Sequence, residues 1–248
     1  MIEKNNDDSS LLSKDELKAL IQTYCKNFEQ TDLYRSYFVP QKEKNEISIT
    51  DMVCYGIGTF STSKSSLWQL VCALSLQKLY GIQSVYYYEP CMTLLESDVL
   101  QNDFDIQIIL NNERGRRSIS DNNINTTTVF FMPHCPQLLY HNVLVTNWTN
   151  LDRISIIGNS LSGYCDRIIG GVSSSIELLA SQQHMNEEPL QYSSSDMSES
   201  GFENAFNDLS WTTINIVSSA NGKELPSKPP LSQNDDDDTH EINDSEVI

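Results

Sequence analysis

The stretch Met52-Val53-Cys54-Tyr55-Gly56-Ile57-Gly58 decides the fold. Four strand-type residues run directly into a pair of glycines, and three later stretches repeat the pattern. Val85-Tyr86-Tyr87-Tyr88 runs into Glu89-Pro90, Val129-Phe130-Phe131-Met132 into Pro133-His134-Cys135, and Ile154-Ser155-Ile156-Ile157 into Gly158-Asn159-Ser160. Helix-patterned sequence lies between them. Strands alternating with helices read as βαβ units and a parallel sheet. In such open sheets ligands bind outside the carboxyl ends of the strands. The four polar clusters therefore converge on one edge.

Outward from residues 52–58, a helix is expected over 63–80, with Leu67, Leu70, Val71, Leu74 and Lys78 in helical repeat and Gly81 placed to stop it. Strands are expected over 84–88, 105–110, 127–132, 153–157 and 212–217, and helices over 92–100, 136–148 and 173–183. The polar stretches 111–125 and 184–200 read as loops. Upstream, Ser13 and Glu16 form a capping-box pattern, followed by Leu17, Leu20, Ile21, Tyr24, Cys25 and Phe28 at helical spacing. That stripe is expected to pack on the main domain, with 41–46 as a charged linker. The expected architecture is α/β, a Rossmann-like three-layer sandwich with a mostly parallel sheet. The expected division is an N-terminal helix and linker at 1–46, an α/β domain at 47–217 and a disordered acidic tail at 218–248. No internal repeat is found.

The chain has 248 residues, 39% of them hydrophobic, and a formal net charge of −18. Residues 218–248 hold eight acids and two lysines, a net of −6, which leaves −12 for the rest. Nucleic acids and anionic membranes both need a basic footprint, so neither is an expected partner. The six cysteines, at 25, 54, 72, 91, 135 and 165, form no CxxC pair and no zinc-finger spacing, which reads as free thiols in a reducing compartment. No apolar run reaches membrane-span length, and no apolar leader follows Met1, so the expectation is a soluble intracellular protein. The sequon at Asn147-Trp148-Thr149 carries no weight in that setting.

Gly56-Ile57-Gly58, after a strand and before a helix, is the pattern of a phosphate-binding turn, but Ser61 stands where the third glycine of the dinucleotide fingerprint would be. A plain tight turn is the competing reading. Glu89 ends the second strand where nucleotide-binding folds place a ribose-binding carboxylate; a strand-ending Glu-Pro turn is the alternative. Arg114 and Arg116 flank Gly115, as a phosphate or carboxylate clamp or as ordinary loop arginines. His134, just past a strand end, is the candidate acid–base group and the one candidate catalytic residue, with Glu89 and Asn159 as polar companions. A metal set of His134, Cys135 and Cys54 lacks ligand spacing, and no metal is expected. Nucleophile-elbow, Walker, HExxH and kinase signatures are absent from the sequence.

These residues, in this order, resemble the SRR-like family, named for plant "sensitivity to red light reduced" proteins. The likeness runs through Cys54-Tyr55-Gly56-Ile57-Gly58-Thr59-Phe60, Trp68-Gln69-Leu70, Tyr88-Glu89-Pro90, Glu96 and Asn112-Glu113-Arg114-Gly115. It continues through Met132-Pro133-His134-Cys135, Leu139-Tyr140, Asn147-Trp148, Ile157-Gly158-Asn159-Ser160 and Phe206-Asn207-Asp208-Leu209-Ser210. It covers about 50–217, with Glu89 where the family more often has Asp, and with local elaborations at 118–126 and 184–200. The resemblance implies a cytoplasmic and nuclear regulator with protein partners, linked to circadian and light signalling or to microtubule-related processes. It brings no established catalytic residues and no named cofactor. The ligand-binding candidates are Gly56, Gly58, Glu89, Glu113, Arg114, His134 and Asn159. The ligand class left open is a small anionic or nucleotide-like molecule, among them adenosylmethionine, a nicotinamide cofactor, a sugar phosphate or haem. An enzyme using the strand-end crevice is the alternative to a regulatory protein.

Overall fold

A computed structural model of the chain describes residues 12–44, 48–119, 126–165, 175–181, 183–216 and 225–231. The lead-in before 12, most of the Asn-rich stretch and the acidic run beyond 231 lie outside the described residues. Among the described residues seven strands form one sheet. They are β1 (Ser48–Tyr55), β2 (Ser84–Tyr88), β3 (Gln107–Ile108), β4 (Thr126–Met132), β5 (Ile154–Asn159), β6 (Met185–Pro189) and β7 (Leu209–Ile214), in the order β3-β2-β1-β4-β5-β7-β6. The first five pair with one another in parallel, while β7 runs antiparallel to both β5 and β6. The apolar runs occupy the centre, where Cys54 pairs with both Tyr87 and Phe131, and Phe130 with Ile156. Strands buried on both faces need no polar alternation, which is why these runs are continuously apolar.

Described helices cover both faces: α1 (Lys14–Phe28), α2 (Val39–Lys44), α3 (Lys64–Tyr80), α4 (Leu94–Asp103), α5 (Gln137–Thr146), α6 (Ser162–Cys165), α7 (Ser175–Ser181), α8 (Ser194–Met197) and α9 (Phe202–Phe206). One core joins the sheet to α1, α3, α4 and α9; the other joins it to α5, α7 and the turn at Trp148–Arg153. The three-layer α/β arrangement is as the sequence indicates. α3 is buried from Ser66 to Leu76 because it has the sheet on one side and α1 and α9 on the other. The α1 stripe is part of that same core, with Leu17, Ile21 and Phe28 fully buried and Phe28 5.9 Å from the ring of Phe206. No helix among the described residues is long and apolar enough to cross a membrane.

Four local expectations are corrected. Residues 41–44, expected in a linker, complete α2. The loop expected at 184–200 contains β6 and α8; β6 is a polar edge strand, so it has no apolar run to announce it. The last strand lies three residues earlier than expected, because antiparallel pairing of Ser210 with Gly158 and Thr212 with Ile156 sets its register. The tail, expected without structure from 218, makes contacts over 225–231. Leu225 packs on the α5-side core, Pro229 is buried, Trp148 Nε1 donates to the Pro226 carbonyl at 3.0 Å, and His141 Nε2 lies 3.1 Å from the Pro230 carbonyl.

Candidate functional site

The strand order changes direction between β1 and β4, since β2 and β3 lie to one side and β5 to the other. The loops leaving β1 and β4 start toward opposite faces there, into α3 and α5, and open the crevice where ligands bind in this class of sheet. Gly56 and Gly58 stand on one lip and His134 and Cys135 on the other. Both glycines have positive φ, +68° and +85°, and a Cβ on Gly56 would meet Cys135 Sγ at 2.9 Å. Cys135 Sγ in turn donates to the Tyr55 carbonyl at 3.4 Å. The glycines serve a tight turn packed closely on the neighbouring loop.

Five amides of that turn, those of Gly56, Gly58, Ser61, Thr62 and Ser63, are bonded within the chain. Gly58 N donates to Glu89 Oε2 at 2.8 Å, and Cys91 N donates to Glu89 Oε1 at 3.0 Å. Ser61 N donates to Glu96 Oε1 at 2.7 Å, while Glu96 Oε2 accepts from Thr93 N and Thr93 Oγ1. Gly56 N reaches the Tyr88 carbonyl, and Thr62 and Ser63 N both reach the Thr59 carbonyl. Glu89 thus takes the Gly58 N–H that the phosphate-turn reading would offer to an anion, an arrangement that suits the competing reading of a tight turn. A phosphate about 4 Å from Glu89 would meet a repulsion of about 4 kcal/mol at an effective dielectric constant of 20. Glu89 is 9% exposed and Glu96 fully buried. Each Glu89 oxygen accepts one N–H, so lone pairs remain for further donors.

On the other lip His134 has φ +54° and is exposed. Its N–H donates to Asn159 Oδ1 at 2.7 Å, while its imidazole has no hydrogen-bond partner among the described residues. Asn159 Nδ2 donates to the Cys135 carbonyl at 3.4 Å and to Tyr164 Oη at 2.8 Å, and Asn159 N donates to Tyr140 Oη. Tyr140 Oη itself donates to the Met132 carbonyl. Asn159 therefore ties the end of β5 to the turn after β4 and holds His134 in its left-handed conformation. Strain of that kind, on a bulky residue, collects at working sites.

Glu113 and Arg114 follow β3 at the same edge. Glu113 accepts from Tyr55 Oη at 2.9 Å and binds Arg117 through two hydrogen bonds of 2.9 and 2.8 Å. Arg117 lies 4.3 Å over the Tyr86 ring. The Arg114 carbonyl accepts from Asn142 Nδ2 at 2.9 Å, and Asn147 Oδ1 accepts from Ile119 N, which fastens this loop to α5. The structure thus brings Gly56, Gly58, Glu89, His134 and Asn159 together on four adjacent strands, with Glu113 and Arg114 at the flank. The set of His134, Cys135 and Cys54 is not assembled, because Cys54 belongs to the α3-side core and Cys135 to the α5-side core. Among the described residues no group of three or more His, Cys, Asp or Glu is placed to hold a metal. A separate concavity, under the loop after β3, is bounded by Asp51, Val53, Tyr86, Thr128, Phe130 and Arg117.

Two carboxylates were missed as site builders. Glu96 could be found from the capping-box spacing Thr93-x-x-Glu96, which the structure realises. Glu187, on β6, accepts from Ser160 Oγ at 2.6 Å, Leu161 N at 2.9 Å and Ser162 N at 3.0 Å. No local signal marks it, because its partners lie on another strand's loop.

The SRR1 domain model matches residues 17–213. An SRR1-like protein of Mus musculus is 36% identical over 124 residues, 48% of this chain and 48% of that protein. Protein SENSITIVITY TO RED LIGHT REDUCED 1 of Arabidopsis thaliana is 26% identical over 227 residues, 85% of this chain and 78% of its own length. An SRR1-like protein of Drosophila melanogaster is 29% identical over 111 residues, 44% of this chain and 38% of its own length. The matches thus span about half or less of the mouse and fly relatives. Because the domain match runs from α1 into β7 and takes in the crevice with all seven candidate residues, the chain belongs to the SRR1 domain family.

Proposed function

We propose that this protein is a signalling regulator that works through its strand-end crevice and through protein partners, in cytoplasm and nucleus. The process is of the light-response, circadian or microtubule-related kind. The plant relative named for red-light sensitivity, similar over 85% of this chain, supports the signalling class. The observation that carries regulation over catalysis is the state of the crevice carboxylates. Glu89 and Glu96 accept loop amides, and the His134 imidazole has no orienting partner among the described residues. A general base ordinarily comes with a second group that fixes its orientation.

The second reading is an enzyme with His134 as acid–base group, favoured by the positive φ of that exposed residue. One experiment separates the two. A deletion strain is complemented with the wild-type gene or with His134→Ala, and its response to light and to a microtubule poison is measured beside its metabolite profile. Regulation predicts an altered response on deletion that His134→Ala restores. A single metabolic block that His134→Ala fails to relieve would establish the enzyme instead.

A further inference from the structure

On the α3 side, the sheet face changes character over β5, β7 and β6. Cross-strand pairing sets Ile157, Trp211 and Glu188 in one row, and Ser155, Thr213 and Asn186 in the next row on the same face. Ile157 and Trp211 belong to the core, whereas the second row is polar throughout. A concavity of about 310 Å³ lies over that row, walled by Gln41 of α2 and by Asp152 just before β5. Its volume falls at the lower end of small-molecule sites. Thr127, at the start of β4, also lines it, so five residues of that strand, about 17 Å, separate it from the crevice at Met132.

Trp211 is the side chain that points to a ligand. All three tryptophans are buried, and a buried indole N–H ordinarily finds an acceptor. Trp68 Nε1 donates to the Ser200 carbonyl at 3.2 Å, and Trp148 Nε1 donates to the Pro226 carbonyl at 3.0 Å. Trp211, 8% exposed, has no such partner for its N–H among the described residues. That N–H is not shut inside the core, and the concavity is what the residue lines. Phe38 and Tyr80 hold its ring, with centroids 6.1 and 5.8 Å away.

The rest of the lining sets the charge of the occupant. Asp152 and Glu188 both line the concavity, and no lysine, arginine or histidine does. Glu188 Oε2 accepts from Gln41 Nε2 at 2.5 Å, while Asp152 has no hydrogen-bond or ion-pair partner among the described residues. An anion is therefore disfavoured, the more so in a chain of net charge −18. A metal is not provided for, since no group of three or more His, Cys, Asp or Glu is assembled among the described residues. A bare amine would satisfy the carboxylates but offer the indole N–H no acceptor. A hydroxyl supplies that acceptor and donates to a carboxylate as well.

We propose that this concavity binds a small polyhydroxylated amine, of the amino-sugar class, with its ammonium at Asp152 and Glu188 and a hydroxyl oxygen on the Trp211 N–H.

NMR of the full chain, with its three indole N–H signals assigned, tests this at mildly acidic pH and fixed ionic strength. The probes are glucosamine, glucose, glucuronate and spermidine. Glucosamine should move the Trp211 signal saturably and leave those of Trp68 and Trp148 in place. Glucose should bind at least about tenfold more weakly, and glucuronate should not bind, because a charge-assisted hydrogen bond is worth roughly that factor or more. Asp152→Asn, at an exposed position, should weaken glucosamine by about tenfold with the remaining spectrum unchanged. Glucose matching glucosamine, or Asp152→Asn binding as the wild type does, would overturn the role of the amine. Spermidine moving the Trp211 signal as glucosamine does would overturn the role of the hydroxyls. A Trp211 signal that none of the four moves would overturn the site itself. The regulatory reading of the crevice is tested separately, by the His134→Ala complementation.

Discussion

Glu89 Oε2 receives the N–H of Gly58 at 2.8 Å, which fastens the end of β2 to the turn after β1. The other oxygen receives Cys91 N, so one carboxylate organises two of the loops that frame the crevice. Glu89→Ala strands both N–H groups and should cost about 2–4 kcal/mol. Glu89→Gln keeps one acceptor and should cost about half as much. Urea unfolding of the two variants measures both; equal losses would mean the carboxylate holds neither loop.

Gly158 and Gly81 should respond differently to Ala. A Cβ on Gly158 would meet Tyr140 Oη at 2.6 Å and the Met132 carbonyl at 2.9 Å, inside the network that places His134. Overpacking of that kind should cost about 2 kcal/mol or more. At Gly81, the left-handed end of α3, a Cβ has open space and only φ +68° opposes it, a cost of roughly 1 kcal/mol. Chemical denaturation ranks the two, and Gly158→Ala at or below Gly81→Ala would contradict the packing described.

The ion pairs between α1 and α4 give a pH dependence of known sign. Lys14 lies 2.6 Å from Asp98, and Lys18 lies 2.6 Å from Asp103. The hydrogen bond from Lys14 is the main cause lowering the Asp98 pKa below its ordinary 3.8, and that from Lys18 does the same for Asp103. A carboxylate with a lowered folded pKa stabilises the fold above its unfolded value, and the contribution is lost as pH falls through the folded value. Wild type should therefore exceed an Asp98→Asn/Asp103→Asn double variant by a small, salt-sensitive margin at neutral pH. The margin should close on acidification below about pH 4. A margin that persists at pH 2 would show that the pairs are not its source.

Thiol labelling reads the crevice floor. Cys91 is exposed, whereas Cys54, Cys72 and Cys135 are buried. Burial, with the nearby Glu89 charge adding to it, pushes the Cys135 thiol up to about 12, and burial pushes Cys25 up to about 11. Iodoacetamide at pH 8 on the native protein, read by peptide mass mapping, should label Cys91 rapidly and Cys135 only after unfolding. Fast labelling of Cys135 would mean that the two lips do not close on each other as described.

How much of this was legible in sequence follows from where each signal resides. Central strands announce themselves, because Val53, Phe130 and Ile156 are buried on a sheet covered on both faces and their neighbours are apolar too. The edge strand β6 does not, since Met185-Asn186-Glu187-Glu188 has one covered side and takes its place from pairing with β7. Residue types at the crevice were likewise readable, but their roles were not. Nothing local to Glu89 says that its partner is Gly58, nor that Asn159 serves the backbone of His134 before any ligand. Those assignments are long-range hydrogen bonds, which appear only once β1, β2, β4 and β5 lie side by side.

Amide hydrogen exchange, resolved by NMR, tests most directly the claim that the crevice turn is held by internal carboxylates. The N–H groups of Gly58, Cys91 and Ser61 should exchange slowly in the wild type, with Gly58 and Cys91 accelerating together in Glu89→Ala, and Ser61 together with Thr93 in Glu96→Ala. Gly58 and Ser61 exchanging at unprotected rates in the folded wild-type protein would contradict it, and would return those amides to an anionic ligand.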